Sequence, residues 1–244
     1  LTMYMNRFIR VAKKELADKQ AAGASDEELQ TLVNELNQEL SDKQAAGVPE
    51  ADKAVLEKAV DVYRQIGGAL AGKLIVSVAF GWNFARAKPL LPTGTHYQYI
   101  VPNTPVSICS GVLLVEEQNN LTGEEEALLE ELLGGLGLYM KLPFAQMGAA
   151  NAMSGCGPAF MAMVIEALGD GGVKHGLTRT QAYTLAACGM EGTAKLQLET
   201  GLHPGVLKDQ VCSPGGVTIR GVAALEENGL RNALLKAIDA TFDI

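Results

Sequence analysis

The spacing of hydrophobic and polar positions changes its rhythm twice along the chain. From residue 1 to about 66 the sequence is polar and charged, and its apolar positions fall at helical spacing with no strand-like run. Within it Asp18-Lys-Gln-Ala-Ala-Gly23 recurs as Asp42-Lys-Gln-Ala-Ala-Gly47, each copy ending a helical stretch at a glycine placed as a C-cap. Ser25 with Glu28 has capping-box spacing, and Pro49 sits where a helix begins ahead of Val55, Leu56, Ala59, Val60 and Tyr63. Two short copies are too few to stack a repeat core, so the segment reads as a helical extension.

From about 67 the rhythm becomes that of short strands alternating with helices. Leu74-Ile-Val-Ser-Val-Ala79, Tyr97-Gln-Tyr-Ile-Val101 and Gly111-Val-Leu-Leu-Val115 are β-rich runs, the first ending at Gly81 and the second at Pro102. Glu124 to Leu133 predicts a helix with Ala127, Leu128 and Leu132 on its apolar face, and Tyr139-Met-Lys-Leu142 a strand that closes the sheet. From about 148 the chain turns to helices rich in Ala and Gly. Phe160, Met163, Val164, Ala167 and Leu168 form one face of a buried helix that stops at Gly171-Gly172. Thr178 with Gln181 opens a helix through Ala182, Leu185, Ala186 and Gly189; Pro204 opens a shorter one to about Cys212. Leu230, Ala233, Leu234, Ala237 and Ile238 mark a terminal amphipathic helix, and helices lined by small residues in this way often pack on a second copy of themselves.

A hydrophobic content of 48% is ample for a core, and 5% aromatic residues beside 27 glycines suits helical or α/β packing. The net charge of -8 argues against a nucleic-acid partner, because phosphate binding needs a clustered positive surface. No apolar run approaches the roughly 20 residues of a membrane span, and the N-terminus lacks a signal-peptide pattern, so a soluble cytoplasmic protein is expected. Cys109, Cys156, Cys188 and Cys212 are scattered without C-x-x-C or histidine-ligand spacing; they are expected to be reduced and packed, with no metal site. His96, His175 and His203 likewise show no spacing for a triad or a metal.

The candidate chemistry lies in Ser213-Pro-Gly-Gly-Val-Thr218, which precedes a helical run through Val222, Ala223 and Leu225 that ends near Gly229. Consecutive N–H groups at a helix N-terminus, with glycines that let a ligand approach, suit a carboxylate or phosphate. The same pattern also suits a simple glycine-rich cap.

The surrounding residues carry a more specific resemblance. Leu207-Lys-Asp-Gln-Val-Cys-Ser-Pro-Gly-Gly-Val-Thr-Ile219 followed by Leu225-Glu226 resembles the signature of the pyrroline-5-carboxylate reductases. Met153-Ser-Gly-Cys-Gly-Pro-Ala-Phe160 is similar to the family's Ser-Gly-Ser-Gly-Pro-Ala-Tyr segment, with Cys156 for Ser and Phe160 for Tyr. Asp170-Gly-Gly-Val-Lys174, His203-Pro-Gly205, Gly72 to Ala79 and Val101-Pro-Asn-Thr-Pro105 extend the likeness from about residue 67 to the C-terminus.

The resemblance implies a partial nucleotide-binding, Rossmann-like α/β unit over 67–147 and an all-α substrate and dimerisation domain over 148–244, with the helical segment 1–66 standing where the first half of the Rossmann domain would be. It implies reduction of a cyclic imine, pyrroline-5-carboxylate, to proline with NADPH or NADH in proline biosynthesis, by a homodimer able to assemble further. Carried over residue by residue, Thr218 meets the imine nitrogen, the Gly215, Gly216 and Val217 N–H groups meet the carboxylate, and Ser213 supports the loop or binds directly. Pro102 and Asn103 fall beside the cofactor, and Gln210 stands where the family has Asn near the nicotinamide. Trp82 replaces a small aliphatic residue and narrows the cofactor side. Gly155-Cys-Gly157 lacks the third glycine of a G-x-G-x-x-G turn, and no other stretch supplies one. A non-catalytic or truncated paralogue that keeps the dimer scaffold and a carboxylate pocket is therefore the alternative expectation.

Overall fold

Strands form where the sequence concentrates β-branched and aromatic residues, and the computed structural model of the chain describes them within residues 68–79 and 81–242. The expected helical segment, with its repeated Asp-Lys-Gln-Ala-Ala-Gly, lies outside the described residues. The strands are β1 (Leu74–Ser77), β2 (His96–Pro102), β3 (Gly111–Glu116) and β4 (Gly137–Leu142), in the sheet order β1-β2-β3-β4. β1 and β2 are parallel with Leu74 opposite His96, β2 and β3 antiparallel with Ile100 opposite Val115, and β3 and β4 parallel with Gly111 opposite Gly137. The parallel β3–β4 step needs a crossover, which α2 (Gly123–Gly134) provides.

β2 is central, and Tyr97, Gln98, Tyr99 and Ile100 are all buried because both faces of the strand are covered. On one face Ile100, Leu113 and Val115 form the core against Val106, Leu133, Leu136 and Tyr139. The opposite face carries Tyr97, Tyr99 and Glu116, under a turn that leads into the short α1 (Phe84–Ala87). A capping box starts α2: the Glu125 N–H donates to Thr122 Oγ1, and the Thr122 N–H donates to the Glu125 carboxylate at 2.8 Å. Here the structure corrects the expected apolar face. Leu129 is buried and Leu133 packs on the core, while Leu128 and Leu132 are exposed. Adjacent leucine pairs make two helical stripes equally apolar, and the sheet selects one of them.

After β4 the chain is helical. α3 (Phe144–Asn151) passes through one π turn (Ala152–Cys156) into α4 (Gly157–Lys174), followed by α5 (Arg179–Thr200), α6 (Pro204–Gln210), α7 (Val217–Glu227) and α8 (Leu230–Asp239). α4 does not stop at Gly171-Gly172: both glycines lie inside it, where Gly172 abuts Ala182 of α5. Gly169 makes the same close approach, since a Cβ there would come within 2.3 Å of the Tyr183 ring. The Thr178–Gln181 capping box forms as expected, but α5 runs past Gly189 to Thr200 and ends at Gly201 in the left-handed conformation.

α3, the π turn and α4 join into a 31-residue helical stretch, Phe144–Lys174, long and apolar enough by composition to cross a membrane. No single apolar run of the sequence shows this length. Most of the stretch is exposed, as is much of α5, whereas α4 had been expected to be buried. The four cysteines are free, but Cys109 and Cys188 are exposed and Cys156 and Cys212 half-buried, so the expectation of packed thiols does not hold.

Candidate active site

The glycine-rich loop is a tight turn that feeds a helix. The Gly216 N–H donates to the Ser213 carbonyl at 3.0 Å, Pro214 supplies the second position, and Gly215 has φ +68°. That combination is a type II turn, whose third position requires a residue tolerant of positive φ. Gly216 gives room of a different kind. A Cβ there would lie 2.3 Å from Ser213 Oγ, so the serine hydroxyl rests against the glycine.

Gly216 is the N-cap of α7, and no side chain caps it. The first-turn N–H groups behind Val217 and Thr218 therefore face outward without a side-chain acceptor, at the positive end of an 11-residue helix. Val217 and Thr218 are exposed, and Arg220 Nη2 donates to the Gly215 carbonyl at 3.0 Å, bracing the turn and adding positive charge beside it. One expected donor is committed elsewhere. The Gly216 N–H closes the turn, so an anion on this loop meets the N–H groups on either side of it. Gln210 ends α6, exposed, three positions before Ser213.

The second group of candidate residues sits at the end of β2. Pro102 lacks an N–H and closes the strand, and Asn103 starts the 3-10 turn Thr104–Ile108. Asn103 Nδ2 donates to the Ser154 carbonyl at 2.9 Å, and Asn103 Oδ1 accepts the Val112 N–H at 2.8 Å. The fold thus brings the Val-Pro-Asn-Thr-Pro loop against the Met153–Phe160 segment. Among the described residues, no hydrogen bond joins either of these to the Ser213–Thr218 loop, which stands apart as a second half-site.

A third group lay outside the expected site. Three side chains on one face of the sheet each hold a backbone group of the turn after β1: Tyr99 Oη accepts the Gly81 N–H at 3.1 Å, Tyr97 Oη donates to the Trp82 carbonyl at 2.6 Å, and Glu116 Oε2 accepts the Phe84 N–H at 2.8 Å. Trp82 itself is buried, 5% exposed, inside this grip. Burial pushes the Glu116 carboxyl above the usual carboxylate range, against the pull of the Phe84 N–H, and pushes the Tyr99 hydroxyl up as well. The signal in the sequence was the i, i+2 tyrosine pair, together with a glutamate closing an apolar strand. Elsewhere, His96 pairs with Glu125 at 2.6 Å and His203 caps α6 by accepting the Gly205 N–H. Among the described residues no three His, Cys, Asp or Glu side chains gather as a metal site would require.

A mixed sheet whose parallel pair β1–β2 presents its C-terminal edge, followed by an all-helical part with an uncapped helix N-terminus, is the outline of an α/β protein with a helical C-terminal half. The comparisons make the class specific. Residues 145–244 match the family model for pyrroline-5-carboxylate reductase dimerisation. A pyrroline-5-carboxylate reductase of Treponema pallidum is 43% identical over 173 residues, covering 69% of this chain and 66% of the relative, and one of Synechocystis is 35% identical over 190 residues, covering 78% and 71%. The crystal structure of Plasmodium falciparum pyrroline carboxylate reductase with NADP bound superposes with a TM-score of 0.69 at 27% identity, over 76% of this chain and 75% of that one. The chain belongs to the pyrroline-5-carboxylate reductase family. It spans just under two thirds, 66%, of the Treponema relative's length.

Proposed function

We propose that this chain reduces 1-pyrroline-5-carboxylate to L-proline with NADPH or NADH. The observation that carries the reading is the Ser213–Thr218 turn: a family signature folded into an uncapped helix N-terminus that offers N–H groups to a carboxylate. Gly215, Val217 and Thr218 supply those N–H groups, Gly216, whose own N–H closes the turn, keeps the approach open, and the Ser213 hydroxyl flanks it. The Thr218 hydroxyl meets the ring nitrogen. A protonated imine is the better acceptor, so a hydrogen bond at that nitrogen and a dry, fixed ring are what the protein contributes. The C-terminal edge of the parallel β1–β2 pair suits the nicotinamide end of a dinucleotide, with Pro102, Asn103 and Gln210 assigned to that side. When bound, the reduced nicotinamide supplies the hydride that the imine carbon accepts, while the nitrogen keeps its proton.

The division of labour follows the change from strands to helices: 67–147 serves the cofactor, 148–244 the substrate and the dimer. The dimer is supported by the exposed apolar residues of the helical part. Met163, Leu168, Leu185 and Leu198 are 68%, 56%, 62% and 77% exposed, and a groove of about 760 Å³ between α4, α5 and α6 is lined by Leu168, Leu185, Met190 and Leu207. A second copy covers this surface, which accounts for the apolar Phe144–Lys174 stretch in a soluble, cytoplasmic enzyme. Calorimetric titration of the full chain with proline tests the cradle. Binding that weakens in Thr218→Ala supports the reading, and binding unchanged by that substitution refutes it.

A further inference from the structure

The Asn103 amide joins segments 51 residues apart in sequence. On one side it closes its own loop: Oδ1 accepts the Val112 N–H at 2.8 Å, and the Asn103 N–H donates to the Val112 carbonyl at 3.2 Å. On the other side Nδ2 donates to the Ser154 carbonyl at 2.9 Å. That carbonyl lacks its ordinary α-helical donor. In a continuous α-helix the N–H of residue 158 would serve it, and residue 158 is Pro158, which has none. The interruption is built in, because the π turn Ala152–Cys156 shifts the helical ladder immediately before it. The turn is also tightly held: Ser154 Oγ donates back to the Ala150 carbonyl at 2.9 Å, and a Cβ at Gly155 would come within 2.2 Å of Asn151 Oδ1. A rigid seat at the head of α4 thus presents the Ser154 carbonyl to the loop that ends β2.

We infer that Asn103 is a positioning residue, a pin that sets the nicotinamide-side loop against the head of α4 and so fixes the spacing between cofactor and substrate halves. The inference rests on the reductase reading above. It goes beyond a direct cofactor contact, because Nδ2 and Oδ1 each hold a protein group on opposite sides of the joint. A loss of the pin leaves each ligand's own contacts in place and disturbs their mutual geometry, which is where hydride transfer is sensitive: a misplacement of about 1 Å costs on the order of a hundredfold in rate.

Asn103→Asp separates the two bonds of the side chain, since a carboxylate still accepts the Val112 N–H but cannot donate to Ser154. In the full chain this variant should slow single-turnover hydride transfer by about tenfold or more, while the affinities for proline and for NADPH, titrated separately, stay within about twofold. Amide exchange across residues 153–160 should accelerate by about tenfold, with the β2–β3 ladder protected as in the parent chain. Asn103→Ala, which loses both bonds, should show the same slowed transfer with added exchange in the β2–β3 loop. The inference is overturned if Asn103→Asp transfers hydride and exchanges at parental rates, or if the rate loss is matched by an equal loss of NADPH affinity. A parent chain that transfers no hydride overturns the reductase reading instead, and the exchange measurement still decides whether Asn103 holds Ser154.

Discussion

Replacing Gly216 by alanine probes the cradle with a single methyl group. The new Cβ would sit 2.3 Å from Ser213 Oγ and 3.1 Å from the Ser213 carbonyl oxygen, so one of them has to move. Shifting the turn would break the 3.0 Å bond from the Gly216 N–H to Ser213 and the brace from Arg220. Rotating the serine hydroxyl costs about 0.5–1.5 kcal/mol. The cheaper response wins: Ser213 swings away, the fold is kept, and the ligand loses one hydroxyl contact. A hydroxyl bond to a carboxylate contributes about 1.5–3 kcal/mol net, which at about 1.4 kcal/mol per tenfold is a loss of about 12- to 140-fold in affinity. Proline titration of Gly216→Ala, Ser213→Ala and the double variant reads this directly. The two single variants should weaken binding alike, and the double variant should bind no worse than Ser213→Ala, because the hydroxyl is lost once. Losses that multiply in the double variant, or a Gly216→Ala chain that binds as the parent does, would refute this geometry.

Leu113→Ala in the sheet core, where the leucine is 1% exposed, should cost about 2–5 kcal/mol in denaturant unfolding; a smaller loss would mean that the Ile100–Leu113–Val115 cluster is not the core. Two carboxyls should impose opposite pH slopes on stability. Glu125 is held below its ordinary range, first by the Thr122 N–H and then by His96, so its contribution is present above the unfolded value of about 4.3 and is lost as pH falls through the lower folded value; Glu125→Gln should flatten that acid limb of a Tm profile. Glu116 is raised by burial, so the folded chain binds its proton more tightly. Its contribution is full below about 4.3 and is lost as pH rises through the folded value, and Glu116→Gln should remove that decline. An unchanged slope in either variant would contradict the corresponding assignment.

What the sequence disclosed was local. The strands were legible because Leu74–Ser77, His96–Pro102 and Gly111–Glu116 concentrate β-branched and aromatic residues, and Gly137–Leu142 is a short apolar run around Tyr139 between Gly137 and Pro143. Thr122 and Thr178 cap their helices through short-range bonds that depend on three-residue spacing. The misreadings were tertiary. Leu128 and Leu129 offer the α2 helix two equivalent stripes, and the facing sheet decides between them. Gly171-Gly172 looked like a helix end, yet both lie inside α4, where Gly172 meets Ala182 just as Gly169 meets Tyr183. In the candidate site, the turn geometry of Ser213–Gly216 was readable from Pro214 and Gly215, whereas the commitment of the Gly216 N–H to that turn was not. The Asn103–Ser154 bond and the grip of Tyr97, Tyr99 and Glu116 on Gly81–Phe84 join residues far apart in the chain, and no spacing rule reports them.

The central claim is that this chain delivers hydride to a cyclic imine held on the Ser213–Thr218 turn. Incubating the full chain with pyrroline-5-carboxylate and NADPH carrying deuterium at both nicotinamide C4 positions, then reading the proline by mass spectrometry, tests it most directly. The expected result is one deuterium at the former imine carbon, with the yield sharply reduced in Thr218→Ala. Proline without deuterium, no proline with either NADPH or NADH, or full transfer by Thr218→Ala would contradict it.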